Sequence, residues 1–350
     1  MHDDLDICVF FDSTPKSWGG GNQFLRSLAQ ELSSKGHQVT RRPTSSTEIV
    51  LFNAFLYAQG KHLRPHHVAR LSRTGKRTGL RSLMPQRMQM LFPAVPSPVL
   101  IHRVDGVPEL VRGRRTIADD VQLAVNRLTD HTVFQSEFCK STFATHCGVS
   151  PASSRVILNG VDPTVFFADA ANTWERGPIR LAAASWSSNP RKGFATLAEV
   201  SRLPGLEVTF AGNWCPDVDP AYVRLAGILN SAEVAGLMRS SNAMIHAAWN
   251  ESSSNAIMEA MACGLPVIYR DSGGNRELAG DYGVPLEEDL SKTMDNLRRR
   301  YAELRGKVIA DGRRFAIARA AEEYVSFFRY AIENRPTIAT DRPRHKRALI

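Results

Sequence analysis

Strand-length apolar runs alternate with helix-forming segments along nearly the whole of this chain, and the pattern occurs twice. In the first half, residues 5–11, 37–41, 49–52, 99–102, 132–135 and 155–158 read as buried strands. Between the first two, Phe24, Leu25, Leu28 and Leu32 recur at helical spacing before a stop at Lys35 and Gly36. The second half repeats the scheme, with strands over 179–184, 206–211, 243–246 and 266–269. Its helices fall at 194–201, 232–239, 255–263 and 290–304, and a last helix covers 316–333. Strands separated by helices imply parallel pairing, because each strand must return through a crossover. The order therefore predicts an α/β chain of two doubly wound halves, with the turn-like stretch 162–177 as the hinge.

A chain of 350 residues is comfortable for two domains, each able to bury a core. Hydrophobic content of 43% and charged content of 23% are ordinary for a globular protein. No apolar run approaches the roughly 18 residues of a membrane span. The opening residues are acidic and lead straight into a strand, so no signal peptide is expected. The 5 cysteines are scattered, without a Cys-x-x-Cys pair, which predicts free thiols in a reducing cytoplasm.

The net charge of +9 is unevenly spread. No acidic residue occurs from Ile49 to Val104, while Lys61, Arg64, Arg70, Arg73, Lys76, Arg77, Arg81, Arg87 and Arg103 all fall there. Residues 335–350 form a second basic segment, expected to be a disordered tail. Such asymmetry argues for an anionic partner. Zinc-finger spacing and an aromatic-rich binding signature are both missing, so nucleic acid is not expected. Leu80, Leu83, Met84, Met88, Leu91 and Phe92 lie among the basic residues, a mixture suited to peripheral contact with an anionic membrane. A solvated basic face over an ordinary core helix reads the same stretch equally well.

The chemistry concentrates between Glu251 and Ile268. Glu251 and Glu259 flank the small polar run Ser252-Ser253-Ser254, and Ala256 to Cys263 forms helix readily before Gly264 stops it. This places Glu251 in a loop at a strand's end and Glu259 on the following helix. Unpaired N–H groups at Ser254, Asn255 and Ala256 would face the same cleft and suit an anion. Carboxylates are poor partners for phosphate and good acceptors for sugar hydroxyls. A phosphate-binding helix start between two such glutamates describes a nucleotide-sugar site.

Glu-x7-Glu followed by Ala-Met-Ala-Cys-Gly-Leu-Pro-Val resembles the donor motif of the family-4 retaining glycosyltransferases, which have the GT-B fold. The resemblance extends over most of the chain, from Trp18-Gly19-Gly20-Gly21 through Ile101-His102-Arg103-Val-Asp105-Gly106 to the Glu251 string. It implies two Rossmann-like domains with parallel sheets facing across a cleft: an acceptor domain over 1–167 and a donor domain over 168–317. A final helix over 318–334 is expected to pack back on the first domain. It implies that Glu251 meets the donor sugar, Glu259 the ribose, and His102 the sugar near the reacting centre. Gly19, Gly20 and Gly21 would approach the diphosphate, and Gly212, Ile228 and Leu229 would line the base.

The loop Ser185-Trp186-Ser187-Ser-Asn-Pro-Arg191-Lys192 resembles the one that supplies an arginine and then a lysine to the diphosphate. Lys192 matches the lysine, but Trp186 stands where the arginine is usual. Arg191 or Arg103 is then the candidate replacement. The combined expectation is a metal-independent, retaining glycosyltransferase without a cofactor. Its donor would be a nucleotide-diphosphate sugar, most simply a UDP-sugar, and its acceptor a glycan, a lipid-linked sugar or a small molecule. Catalytic roles would fall on His102, Lys192 and Glu251, and the expected setting is cell-surface polysaccharide synthesis in the cytoplasm, with membrane association at the inner face as an option. The departure at Trp186 keeps a second reading open, a non-catalytic nucleotide-sugar-binding protein.

Overall fold

A computed structural model describes residues 4–14, 20–58, 60–73, 97–147, 153–169 and 173–334. Gly19, the core of the basic, acid-free stretch and the basic tail lie outside these residues. The first half runs β1 (Asp6–Val9), α1 (Gly20–Ser34), β2 (Gln38–Thr40), β3 (Ile49–Asn53), β4 (Leu56–Ala58), β5 (Lys61–His62) and α2 (Pro65–Arg73). It continues with β6 (Val99–Val104), α3 (Pro108–Arg112), α4 (Ile117–Asn126), β7 (His131–Phe134), α5 (Glu137–Cys147) and β8 (Ser154–Val156). The second half runs β9 (Ile179–Ser185), α6 (Phe194–Val200), β10 (Leu206–Gly212), β11 (Arg224–Gly227), α7 (Ser231–Arg239), β12 (Ala243–His246) and α8 (Asn255–Ala262). It ends with β13 (Val267–Tyr269), α9 (Asn275–Ala279), β14 (Gly283–Pro285), α10 (Leu290–Ala310) and α11 (Ile317–Glu333).

The first sheet is ordered β2-β1-β3-β6-β7-β8, all parallel, with the antiparallel β4–β5 hairpin attached to β3. The second is ordered β11-β10-β9-β12-β13-β14 and is wholly parallel. That second order is the doubly wound arrangement in which the direction of winding reverses beside the first strand of the half, here between β9 and β12. Ligands of such sheets bind at this reversal, beyond the carboxyl ends of the strands.

Alternation along the strands explains why the runs read as continuously apolar. Ile7 and Val9 join one core with Ile49 and Leu51, while Cys8 and Phe10 join the opposite one with Val50 and Phe52. Both faces are covered, so both sets must be apolar. Each such Leu, Ile or Phe contributes about 1.5–3 kcal/mol when fully buried. Cys8, Cys139, Cys215 and Cys263 are buried free thiols.

The chain crosses between halves twice, and the two crossings lie side by side. Val161 N–H donates to the Phe315 carbonyl at 2.9 Å, and Ile317 N–H to the Val161 carbonyl at 2.8 Å. A Cβ at Gly160 would stand 2.6 Å from the Ala316 carbonyl oxygen, so only glycine allows the approach. Val161 and Phe166 already pack in a core of the second half, ahead of the 162–177 stretch read as the hinge. After the return crossing, Ile317, Ala320, Tyr324 and Phe328 of α11 pack with α1 against the first sheet. Among the described residues no helix is long and apolar enough to cross a membrane.

Candidate active site

A cavity of about 370 Å³ opens between the halves where β9 and β12 end. The first half contributes Gly20, Gly21, Gln23, Asp105 and Gln135 to its wall. From the second half come Trp186, Ser187 and Lys192 after β9, Gly212 ending β10, and Ile228 and Leu229 after β11. His246, Glu251, Ser253, Ser254, Asn255, Ala256 and Glu259 complete it. The cavity therefore gathers most of the described residues that the sequence singled out for donor binding.

Helix α8 starts at this cavity because Ser254 caps it. The Ser254 Oγ accepts from the Ile257 N–H at 3.4 Å, and Ser254 has extended backbone. The N–H groups of Asn255 and Ala256 in the first turn have no intrahelical acceptor, which gives the cavity floor a partial positive charge. Asn255 Oδ1 accepts from Asn159 Nδ2 at 2.7 Å, tying this turn to the first half. The two halves meet again where Ser136 Oγ donates to the Ser252 carbonyl.

Lys192 ends a short 3-10 turn, Pro190–Lys192, capped by Asn189 Oδ1, which accepts from the Arg191 N–H at 2.9 Å. Its ammonium is ion-paired with Glu251 Oε1, and both side chains are largely shielded from solvent. Burial alone would push the Glu251 carboxyl up. The charge of Lys192, with His246 and the Lys192 hydrogen bond, holds it below the usual carboxylate range. Glu259 has no such help, and burial pushes it up to about 8. At neutral pH the cavity thus holds one ionised glutamate beside the lysine and one protonated glutamate on α8.

Three assignments from the sequence change. His102 does not line the cavity: it is fully buried within the first sheet. Its Nε2 donates to the Ala54 carbonyl at 2.8 Å and its Nδ1 accepts from Asn126 Nδ2 at 3.1 Å. Burial lowers its pKa to about 4, so the ring is a neutral structural tie. His102 lies on β6, but that strand turns its ring toward Asn126 of α4 and away from the cavity.

Arg191 is also absent from the wall. Its guanidinium lies against Gly113, where an added Cβ would be 2.8 Å from Nε. Arg103 is fully buried, held by Asn53 Oδ1 at 2.6 Å and Asn159 Oδ1 at 2.9 Å, over the Phe24 ring. Neither replaces the missing arginine, so among the described residues Lys192 is the only cation lining the cavity. Trp186 does line it, 40% exposed, with its carbonyl accepting from Asn213 Nδ2 at 2.7 Å.

Two titratable wall residues carried no assignment in the sequence reading. His246, at the end of β12, is buried with Nε2 unpartnered, and burial lowers its pKa to about 4. Asp105 follows β6 directly. A carboxylate or imidazole at a strand's carboxyl end is the signal that could have flagged both. No group of three or more His, Cys, Asp or Glu side chains fit to hold a metal ion occurs among the described residues.

Comparison with known proteins places this geometry. The family model described as "Glycosyl transferases group 1" matches residues 188–303. A GDP-mannose-dependent alpha-mannosyltransferase of Mycolicibacterium smegmatis is 27% identical over 169 residues, 45% of this chain and 44% of that protein. The match thus spans less than half the length of this curated relative. Among solved structures, sucrose-phosphate synthase from Thermosynechococcus elongatus aligns over 93% of this chain and 98% of its own, with TM-score 0.63 and 15% identity. Anabaena HepE in complex with UDP-glucose aligns over 93% and 99%, with TM-score 0.63 and 14% identity. The chain has the GT-B fold of these enzymes, and its second half carries the segment that the glycosyl transferases group 1 model describes.

Proposed function

We propose that this protein is a glycosyltransferase that moves a sugar from a nucleotide-diphosphate donor to a hydroxyl-bearing acceptor. The observation that carries the reading is the cavity at the β9/β12 reversal, where the Lys192–Glu251 pair, the α8 N-terminus and Glu259 converge. The diphosphate would lie over the first turn of α8 within reach of Lys192. Charge develops on the leaving oxygen as the anomeric bond breaks, and a fixed ammonium and oriented N–H groups stabilise it. Glu251 would take sugar hydroxyls and Glu259 the ribose, with the base beside Ile228 and Leu229.

Retention of configuration follows from the resemblance of the Glu251 string. The named relatives use or bind GDP-mannose and UDP-glucose, so uridine and guanosine donors are the first to test. The basic stretch between Ile49 and Val104 favours an anionic or membrane-presented acceptor, such as a lipid-linked glycan. Among the described residues no second Lys or Arg lines the cavity with Lys192, which favours a second reading, a nucleotide-sugar-binding protein without turnover.

The test is calorimetric titration with UDP and GDP, followed by NMR of UDP-glucose and GDP-mannose turnover with and without glycan acceptors. Nucleotide binding with release of free sugar or a new glycoside supports the transferase. The anomeric coupling of the product decides retention. Tight binding without turnover under any acceptor selects the second reading, and no binding removes both.

A further inference from the structure

Asp105 belongs to the part of the cavity wall that the first half contributes. It leaves the end of β6 and lines the cavity on the first half's side, next to Gly21, where an added Cβ would be 3.8 Å from its Oδ2. The adjoining Gly106 fixes its position. Gly106 has φ +140°, and an added Cβ there would meet Ser252 Oγ at 2.3 Å, so this backbone abuts the loop that carries Glu251. The Gly106 carbonyl is held by Gln122 Nε2 at 2.7 Å. Asp105 is thereby brought into the cavity from the first half, between Gly21 and the loop that carries Glu251.

A carboxylate so placed is short of partners. Among the described residues it makes no ion pair and no side-chain hydrogen bond; its own N–H is its only hydrogen-bond partner. Arg103, on the same strand, is committed to Asn53 and Asn159. Burial raises the Asp105 pKa above the ordinary value, against the opposing charges of Arg103 and Arg112. A shielded carboxylate open to the cavity is suited to accept a proton from a substrate rather than to anchor the fold.

We propose that Asp105 binds the attacking hydroxyl of the acceptor and takes its proton, an assignment that rests on the glycosyltransferase reading above. As the acceptor oxygen bonds to the anomeric carbon, the bond from that carbon to the diphosphate oxygen breaks and leaves its electron pair on the diphosphate. The hydroxyl proton passes to the Asp105 carboxylate, which returns it to solvent after release. The step specifies the proton's destination and is compatible with attack on either face of the sugar. Without an acceptor, a water takes the hydroxyl's place and the donor is hydrolysed.

The experiment compares the wild-type chain with Asp105→Asn and Asp105→Ala, using UDP and GDP for binding and UDP-glucose and GDP-mannose for hydrolysis. Asp105→Asn should bind nucleotide within about twofold of wild type and hydrolyse the donor about 10²-fold more slowly or worse, the range of general-base catalysis. Wild-type hydrolysis should fall as pH drops through the raised Asp105 pKa, and that limb should vanish in Asp105→Asn. The charged or titratable groups around it are Arg103 on β6, Arg112 on α3 and Cys139 on α5, with Lys192, His246, Glu251 and Glu259 lining the same cavity. Burial pushes the Cys139 thiol up to about 12, so it stays neutral through the profile. Formate should restore hydrolysis to Asp105→Ala, a rescue that a merely structural role would not give. Variants that bind nucleotide and hydrolyse donor at the wild-type rate with the same pH profile overturn the assignment alone. Wild-type protein that binds neither nucleotide removes the transferase reading and this assignment with it.

Discussion

Lys192 and Glu251 neutralise each other across the gap between the β9 and β12 loops. A diphosphate entering beside α8 competes with Glu251 for the ammonium. Moving Lys192 onto phosphate would release the Glu251 carboxylate for sugar hydroxyls, so the two substrate contacts form together. Lys192→Ala should lower turnover by roughly 10²–10³, the loss seen when one oriented donor group is removed. It should also leave Glu251 buried and unpaired. Glu251→Gln should lower sugar turnover while changing UDP affinity less. Stopped-time hydrolysis and calorimetry on both variants and the double variant read the coupling, and a loss below threefold for Lys192→Ala would assign the leaving group to another cation.

Trp186 leaves a vacancy for positive charge beside that pair. Trp186→Arg should strengthen UDP binding by roughly tenfold, since a charge-assisted hydrogen bond contributes about 1.5–3 kcal/mol. Titration with UDP and with uridine separates the phosphate effect from any effect on the base. Equal gains for both ligands, or none for either, would place residue 186 away from the diphosphate.

Glu259 makes stability fall toward alkaline pH. Its folded-state pKa is raised to about 8 from an ordinary 4.5, so the folded state binds the proton more tightly than the unfolded chain. The stability tied to that proton is complete below pH 4.5 and is lost as pH rises through about 8. Glu259→Gln should therefore melt progressively higher than wild type as pH goes from 5 to 9, while binding nucleotide more weakly for want of a ribose acceptor. Thermal unfolding at three pH values checks the first, and UDP titration the second. A melting difference independent of pH would contradict the buried, protonated carboxyl.

His102 should behave as part of the framework. Removing its ring strands the buried Ala54 carbonyl and one Asn126 N–H, and leaves a cavity in the sheet. His102→Ala should cost about 2–4 kcal/mol of stability, with UDP affinity unchanged within about twofold. Denaturant unfolding and calorimetry distinguish this from a catalytic role, for which activity would fall at constant stability.

Local pattern made much of the site legible. Ser254 as a cap, the α8 start and the two glutamates follow from residue types at fixed spacing, and both parallel sheets follow from strand and helix alternation. What the sequence hid depends on distant partners. Whether β6 turns His102 inward or Asp105 outward rests on a one-residue alternation, decided by what packs on each face. Arg191 reads like its neighbour Lys192 along the chain, yet the 3-10 turn sends it to Gly113 of the other half. The early crossing at Val161 depends on a backbone pairing with residues some 150 positions away, which no local pattern encodes.

That pairing at Val161 and Ala316 has a practical meaning for anyone recombining such enzymes. Because α11 completes the core against β1 and α1, a transplanted first half must bring both of its pieces, the chain up to Gly160 and 317–334, as one unit. A graft that exchanges the first piece alone would set a foreign sheet against a helix shaped for another surface. The natural module is discontinuous, and the second half is the insert.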